Sequence, residues 1–121
     1  MDLVKKNEIK APLCFWNVED SYTSNGCGTD KTAKVIPNRI FGCSILLACI
    51  IHDYMYEIAE PKHKQKEIAD RVFLENMQEL IIRYGGFWKF LRLKIARKYY
   101  LAVKHFGGWA FWKNKTKEIE L

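Results

Sequence analysis

Residues 39–59 read RIFGCSILLACIIHDYMYEIA. The stretch is apolar almost all round before it turns polar, Pro37-Asn38 precedes it, and Pro61 follows it. Asparagine is a common helix N-cap and proline stops a helix, so the pattern predicts one helix with Asn38 as its N-cap. Its apolar run is shorter than the roughly 20 residues that a membrane-spanning helix needs. The stretch therefore predicts a core helix that is buried for most of its length.

Two more helices are predicted after it. The pattern indicates a helix at 64–83 that ends at a Gly-Gly pair. Through 87–106, apolar residues recur at i, i+3, i+4 and i+7, and a second Gly-Gly pair ends that helix. Residues 1–38 show no sustained period, and no segment alternates convincingly as a strand does. The sequence predicts an all-α fold in one domain, 1–121: an N-terminal segment and loop at 1–38, two antiparallel core helices at 39–83, and a basic, aromatic helix and tail at 87–121.

Positive charge is concentrated in the last third of the chain. The net charge is +6; from residue 87 onward nine Lys and Arg stand against two Glu, whereas residues 1–86 have eleven against twelve acidic residues. Such a segment suits an anionic surface, either lipid headgroups or nucleic acid. Only charge and aromatic content favour nucleic acid, so we expect a phospholipid surface as partner and no nucleic acid. A core helix with a solvated basic face is the alternative.

The cysteine pattern disfavours a zinc site, but neither it nor the N-terminus decides whether disulfides form or in which compartment the protein lies. Cys14, Cys27, Cys43 and Cys49 lack the close pairs of a zinc site, so zinc is disfavoured. An even count permits two disulfides, but free buried cysteines are common, and the residues alone leave this open. The first residues lack the apolar segment of a signal peptide. The compartment stays open among secreted, effector and virion-associated proteins, and the sequence does not predict an oligomeric state.

A histidine and an aspartate are predicted to meet between the first two helices. His52 and Tyr56 stand four residues apart and share a helical face, while Asp70 falls in the apolar stripe of the second helix, where a carboxylate needs a partner. Pro61 is nine residues from each of His52 and Asp70, which puts them at about the same height in an antiparallel pair. Asp70 is then expected to fix the histidine tautomer, with Tyr56 within reach of Asp70. A local salt bridge or a helix-end interaction is the simpler alternative.

Asp53 points elsewhere, about 100° further round the helix. Hard cations such as Ca²⁺ prefer oxygen ligands. Asp53 and the carbonyls of the Gly-rich loop at 25–30 are therefore a candidate Ca²⁺ site beside the predicted couple.

The spacing Cys49-x-x-His52-Asp53-x-x-Tyr56 resembles the active-site signature of the phospholipase A2 superfamily. An Asn-Gly-Cys-Gly loop at 25–28 and an Asp-x-x-Phe-x-x-x-Met segment at 70–77 resemble its bacterial and fungal branch. The resemblance implies a small phospholipase A2-like fold and calcium-dependent hydrolysis of the sn-2 ester of glycerophospholipids. Within it, His52 is the general base for the attacking water.

The resemblance also implies the remaining roles. Asp70, helped by Tyr56, orients the base. The other implied assignments are Asp53, Gly26, Gly28 and Asp30 as the calcium ligands and Cys27–Cys49 as a disulfide, with Cys14 and Cys43 undecided. The loop lacks the full form found in the animal secreted enzymes.

The basic third helix and the tail are predicted to bind the lipid interface, because Trp sits well at headgroup depth and Lys and Arg attract anionic lipid. The residues predicted for this role are Trp88, Lys89, Arg92, Trp109 and Trp112. A non-catalytic membrane-binding or structural module on the same scaffold is the alternative function.

Overall fold

A β-hairpin begins the part of the chain that the computed structural model describes, which comprises residues 2–19, 38–108 and 111–112. Strand β1 (Leu3–Lys6) pairs antiparallel with β2 (Ile9–Pro12). The two turn residues, Asn7 and Glu8, have φ of 53° and 69°, as the tight two-residue turns between twisted strands require. Strand β1 is exposed, whereas β2 is largely buried. The hairpin therefore contributes one strand to the core.

A short helix and a second hairpin precede the main helices. Helix α1 (Leu13–Val18) follows β2 directly. Strands β3 (Arg39–Ile40) and β4 (Cys43–Ser44) pair antiparallel across Phe41 and Gly42, whose φ values are 45° and 83°. The predicted absence of strands is therefore wrong. Strands of two and four residues are too short to show a sequence period.

The central helix is shorter than the sequence predicts. Helix α2 runs over Leu46–Ile58 and its N-cap is Ile45, so the predicted start at residue 39 and the predicted N-cap Asn38 are wrong. The reason is the positive φ at Phe41 and Gly42, because a right-handed helix cannot pass through two left-handed residues. The apolar residues before α2 still enter the core, but they do so from a hairpin.

The other two predicted helices are confirmed to within two residues at each end. Helix α3 spans His63–Tyr84 and ends at Gly85, whose φ of 68° favours glycine. Helix α4 spans Lys89–Phe106. The described residues thus form a mostly helical fold with two small antiparallel strand pairs, which corrects the all-α prediction. None of the described helices is long and apolar enough to cross a membrane.

Two packed clusters form the core, and α2 and α3 contribute to both. One cluster joins the β3–β4 hairpin, the start of α2, the second half of α3 and the α4 face with Ala96. The other joins β2, α1, the end of α2 and the first half of α3. His52 and Asp70 lie on α2 and α3 between these regions, so the fold buries polar groups beside its apolar core.

Arg92 joins α4 to the rest of the fold, which differs from its predicted role at a lipid interface. The side chain is buried, and Nε donates to Ile40 O at 3.1 Å. Nη2 donates to Phe41 O at 2.7 Å and Nη1 to Gly85 O at 3.1 Å. The guanidinium also lies over the Tyr84 ring. Because its donors are directed to carbonyls inside the fold, Arg92 is a structural residue.

Candidate active site

His52 and Asp70 form a buried hydrogen-bonded pair between α2 and α3. The Nε2 atom of His52 lies 2.8 Å from Oδ1 of Asp70. The two residues are only 7% and 2% exposed. Burying a carboxylate is costly unless it is paired and hydrogen-bonded, and this one has several partners. The structure therefore brings together the two residues that the sequence places at equal distance from Pro61.

Tyr56 holds the same carboxylate oxygen. Its hydroxyl donates to Asp70 Oδ1 at 2.5 Å. The Tyr56 ring also lies against the His52 ring, with centroids 4.2 Å apart, and the imidazole stacks on Phe73 at 4.6 Å. His52 is thus fixed by one hydrogen bond and two ring contacts. The Nδ1 atom of His52 makes no hydrogen bond with the described part of the chain.

Lys66 completes the shell of Asp70, and sequence reasoning missed it. Its ammonium donates to Asp70 Oδ2 at 2.7 Å, and to the carbonyls of Val103 and Lys104 at 3.0 and 3.2 Å. A lysine ammonium has three donors, and each has an acceptor here. Lys66 stands four residues before Asp70 on α3, and this i, i+4 spacing is the signal that identifies it. Through Lys66, the end of α4 is attached to the carboxylate.

The charge state of the cluster follows from these contacts. Burial raises the pKa of Asp70, but the hydrogen bonds from His52, Lys66 and Tyr56 and the charge of His52 outweigh it, so the pKa lies below its ordinary value. Burial, followed by the negative charge of Asp70, raises the pKa of Tyr56. Asp70 is therefore ionised and accepts hydrogen bonds, while Tyr56 stays protonated and donates one.

The lowered pKa of Asp70 predicts a loss of stability in acid. Folding depresses the pKa of this group, so its ionised form stabilises the native state at every pH above the pKa of the unfolded state, which is about 3.9 for aspartate. This contribution to stability falls as the pH drops from there toward the native pKa. We expect the free energy of unfolding to decline by up to about 1.4 kcal/mol per pH unit from this group in that window. Urea unfolding of wild type and Asp70→Asn between pH 5 and pH 2 measures it. If the free energy of unfolding changed with pH equally in the two proteins, the lowered pKa of Asp70 would be contradicted. Glu75→Gln is the control, because it removes a carboxylate that is half-exposed.

Gly107, at the end of α4, packs directly against the site. A Cβ atom built there lies 2.4 Å from Val103 O and 2.9 Å from the Tyr56 hydroxyl. The Tyr56 hydroxyl donates to Asp70 and Val103 O accepts from Lys66, and Val103 O is a backbone atom, so the neighbours cannot move aside without cost. The close approach of α4 to Tyr56 therefore requires glycine at this position.

Replacement of Gly107 by alanine is expected to lower the free energy of unfolding by about 1–3 kcal/mol, because the added methyl group overpacks the contact with Tyr56. Gly108→Ala is the matched control, since the nearest atom to its Cβ is Trp112 Cδ1 at 3.9 Å. We expect the control to change stability by less than about 0.5 kcal/mol. Urea unfolding of both variants tests this, and equal losses would show that Gly107 is not specially constrained.

The predicted calcium ligands fall mainly outside the described residues. Asp53 is half-buried on α2 and adds to the negative charge near Tyr56. Gly26, Gly28 and Asp30 lie outside the described part of the chain. Within the described part, no three His, Cys, Asp or Glu side chains are grouped to hold a metal ion. The calcium site therefore stays a prediction in which Asp53 is the one described ligand.

The predicted Cys27–Cys49 disulfide also stays a prediction, because Cys27 lies outside the described residues. Cys49 is buried on α2, one turn before His52. Cys14 and Cys43, which the sequence leaves undecided, have free thiols, and Cys14 is exposed. Burial raises the pKa of the Cys43 thiol, against the opposing charge of Arg92. That thiol is therefore a core group with little tendency to ionise.

The residues predicted to contact lipid are distributed over different parts of the structure. Trp88 is exposed at the start of α4, and Lys89 beside it is half-exposed. Trp112 is half-buried, and its ring makes a T-shaped contact with the ring of His63. Trp109 lies outside the described residues. Only Trp88 and Lys89 therefore lie on a surface that fits the predicted role.

Comparison with known proteins corrects the predicted family. Residues 32–88 match the model of a family described as Protein of unknown function (DUF1353). No curated protein and no solved structure matches the chain. The family that matches is uncharacterised and is not a phospholipase A2 family, so the predicted phospholipase A2 membership is wrong. The signature misleads because its i, i+3 and i+7 spacing is what any helix needs to set three residues on one face. The segment that contains α2, α3 and the His52–Asp70 pair is similar to a family of unknown function.

Proposed function

We propose that this chain is a hydrolase that cleaves an acyl ester of a membrane glycerophospholipid, with His52 as the general base for the attacking water. The observation that carries the proposal is the buried contact of His52 Nε2 with Asp70 Oδ1 at 2.8 Å. A general base needs a defined tautomer, a fixed orientation and a partner for the positive charge that it acquires. Asp70 supplies all three.

The tautomer follows from the charge of Asp70. Because the ionised carboxylate only accepts hydrogen bonds, the proton of the neutral imidazole resides on Nε2. The lone pair then lies on Nδ1, the nitrogen directed away from Asp70. Nδ1 takes the proton from water as the water attacks the ester carbonyl, and the imidazolium is stabilised by the adjacent carboxylate. The same proton then passes to the leaving alcohol.

The other contacts of Asp70 explain why three further polar residues are buried beside the proposed base. Tyr56 and Lys66 occupy the two oxygens of Asp70, so the carboxylate cannot rotate away from His52. Lys66 also offsets the charge of the carboxylate in a buried setting. A salt bridge that served stability alone does not need a histidine and a tyrosine on one carboxylate oxygen. The arrangement therefore favours a positioned general base over a local salt bridge or a helix-end interaction.

The exposed face of α4 supports a lipid substrate. One stripe of the exposed surface of the helix follows the spacing i, i+4, i+7, i+11 and i+14. It carries Phe90, Lys94, Arg97, Leu101 and Lys104. Apolar and cationic side chains on one exposed stripe suit a helix that lies in the plane of an anionic membrane. Because Lys66 connects the last turn of α4 to Asp70, a membrane-bound α4 lies beside the proposed active site.

Calcium enters the proposal through Asp53, next to His52 in the chain. Bound there, a cation would supply electrostatic stabilisation of the oxyanion. The steps assigned to His52, Asp70, Tyr56 and Lys66 do not depend on it. The predicted position of cleavage is the sn-2 ester.

Fatty-acid release from vesicles of phosphatidylcholine and phosphatidylglycerol tests the function directly. Wild type is assayed with calcium and with a chelator, and released acid and lysophospholipid are identified by mass spectrometry. Release of one acid per lysophospholipid is the expected result, and its loss with chelator would support a requirement for calcium. If a folded protein binds the vesicles but releases nothing under either condition, the proposal fails, and the non-catalytic membrane-binding module is favoured instead.

Phe90→Ser is expected to weaken binding to phosphatidylglycerol vesicles by about 10-fold, because it removes an aromatic side chain that is 76% exposed and whose insertion into lipid contributes about 1.5–3 kcal/mol. Leu13→Ser, on α1, is the matched control, since Leu13 is also exposed but lies off the stripe of α4. Vesicle co-sedimentation measures both. Equal binding by wild type and Phe90→Ser would exclude α4 from the interface.

A further inference from the structure

A cleft of about 520 Å³ lies between the first half of α3 and the last turn of α4. Lys66 and Asp70 form part of its wall, and Gly108 and Trp112 also line it. Its volume falls within the range of about 300–1,000 Å³ that small-molecule sites occupy. His52 does not line this cleft. It is therefore a separate space on the side of Asp70 that faces Lys66.

Positive charge in the cleft is incompletely neutralised. Arg71 and Lys104 line it from α3 and α4, and neither makes an ion pair with the described residues. Lys66 and Asp70 pair with each other, which leaves Glu67 as the one other carboxylate among the described residues of the lining. The formal charge of the lining is thus positive even with both of its histidines neutral. The cleft attracts anions.

The start of α3 adds to this charge. Helix N-termini carry unsatisfied N–H groups and a partial positive charge, which acidic side chains or caps normally offset. The first turn of α3 contains no acidic residue, and Lys62 provides no side-chain cap. His63, the first residue of α3, lies in the lining, and His105 approaches from α4. Two imidazoles, two cations that form no ion pair within the described part of the chain, and an uncapped helix start therefore converge on one cleft.

We propose that this cleft binds a phosphate group, as a second site distinct from the His52 centre. Arg71 offers a planar guanidinium for two phosphate oxygens, and Lys104 supplies a point charge from the opposite helix. His63 and His105 donate further hydrogen bonds. The site does not depend on the proposed hydrolase activity. The phosphate belongs either to a lipid headgroup or to a free phosphorylated solute.

Isothermal titration calorimetry tests the site on the full chain with two probes, inorganic phosphate and glycerophosphocholine. The double variant Arg71→Gln, Lys104→Gln is expected to weaken phosphate binding by about 10-fold or more, since each charged hydrogen bond contributes about 1.5–3 kcal/mol. The control is the double variant Lys5→Gln, Arg39→Gln. Both control residues are exposed cations outside the cleft, and the total charge change is the same. The control is expected to bind within about 2-fold of wild type.

The two probes distinguish the sources of the phosphate. Tighter binding of glycerophosphocholine assigns the cleft to a lipid headgroup, and tighter binding of inorganic phosphate assigns it to a free solute. His52→Gln is expected to keep phosphate binding unchanged, which separates this site from the hydrolase. No heat of binding with either probe would overturn the proposal, as would an equal loss in the two double variants.

Discussion

His52→Gln is expected to lower the rate of phospholipid hydrolysis by about 10²- to 10⁴-fold, the range that a positioned general base contributes. Glutamine retains an N–H that can donate to Asp70, in place of the 2.8 Å contact from Nε2. It has no nitrogen lone pair that can accept a proton from water. The change therefore removes the base and preserves most of the buried hydrogen bonding. Initial rates of fatty-acid release at saturating lipid measure the effect.

The control for His52→Gln is Glu75→Ala. Glu75 lies on α3 and pairs with Lys10, outside the shell of Asp70. We expect its rate to remain within about 2-fold of wild type, since it touches no proposed catalytic group. Circular dichroism and the unfolding midpoint establish that both variants are folded. A folded His52→Gln protein with more than a tenth of the wild-type rate would exclude His52 as the base.

Asp70→Ala is expected to lower the free energy of unfolding by about 3–5 kcal/mol, the usual cost of breaking a buried ion pair from one side. It leaves the Lys66 ammonium, only 8% exposed, without its carboxylate. It also removes Asp70 Oδ1, the oxygen that contacts both the hydroxyl of Tyr56 and Nε2 of His52. Since native domains are stable by only about 5–15 kcal/mol, this is a large part of the total. Urea unfolding near neutral pH measures the change.

A second carboxylate on the same helix is the control for that loss. Glu75→Ala removes a partly exposed partner of Lys10 and is expected to cost at most about 1 kcal/mol. In the double variant Asp70→Ala, Lys66→Met, the orphaned charge is removed as well. We expect the double variant to be more stable than Asp70→Ala alone. If the change in the free energy of unfolding of the double variant equals the sum of the changes for Asp70→Ala and Lys66→Met, Lys66 and Asp70 are not energetically coupled.

The contact of His52 with Asp70 was predictable because both lie on long helices joined by a short loop. Antiparallel helices of equal rise bring residues equidistant from the connection to the same height. The position of Tyr56 follows from the same helical spacing. These inferences need only the period of the helix and the location of Pro61, and both can be read from the chain.

The start of α2 and the role of Arg92 were not predictable in this way. The apolar run before α2 fits a buried helix or a buried strand, and only the positive φ of Phe41 and Gly42 separates the two. Arg92 falls on a basic, aromatic helix, which suggests a lipid contact. The carbonyls that engage it come from the β3–β4 hairpin and Gly85, far away in the sequence. The sequence alone does not distinguish an arginine on the surface from one that is buried.

The sequence by itself determined the helices α3 and α4, the glycine that ends α3 and the pairing of His52 with Asp70, because each depends on local spacing along one or two helices. Only the tertiary structure decided the two hairpins, the burial of Lys66 and Arg92, and the cationic cleft between α3 and α4. These features depend on which carbonyls and charges come into contact after the helices pack. Lys66 shows the difference most clearly. Its sequence position is compatible with a surface lysine, but in the structure its ammonium donates to Val103, Lys104 and Asp70.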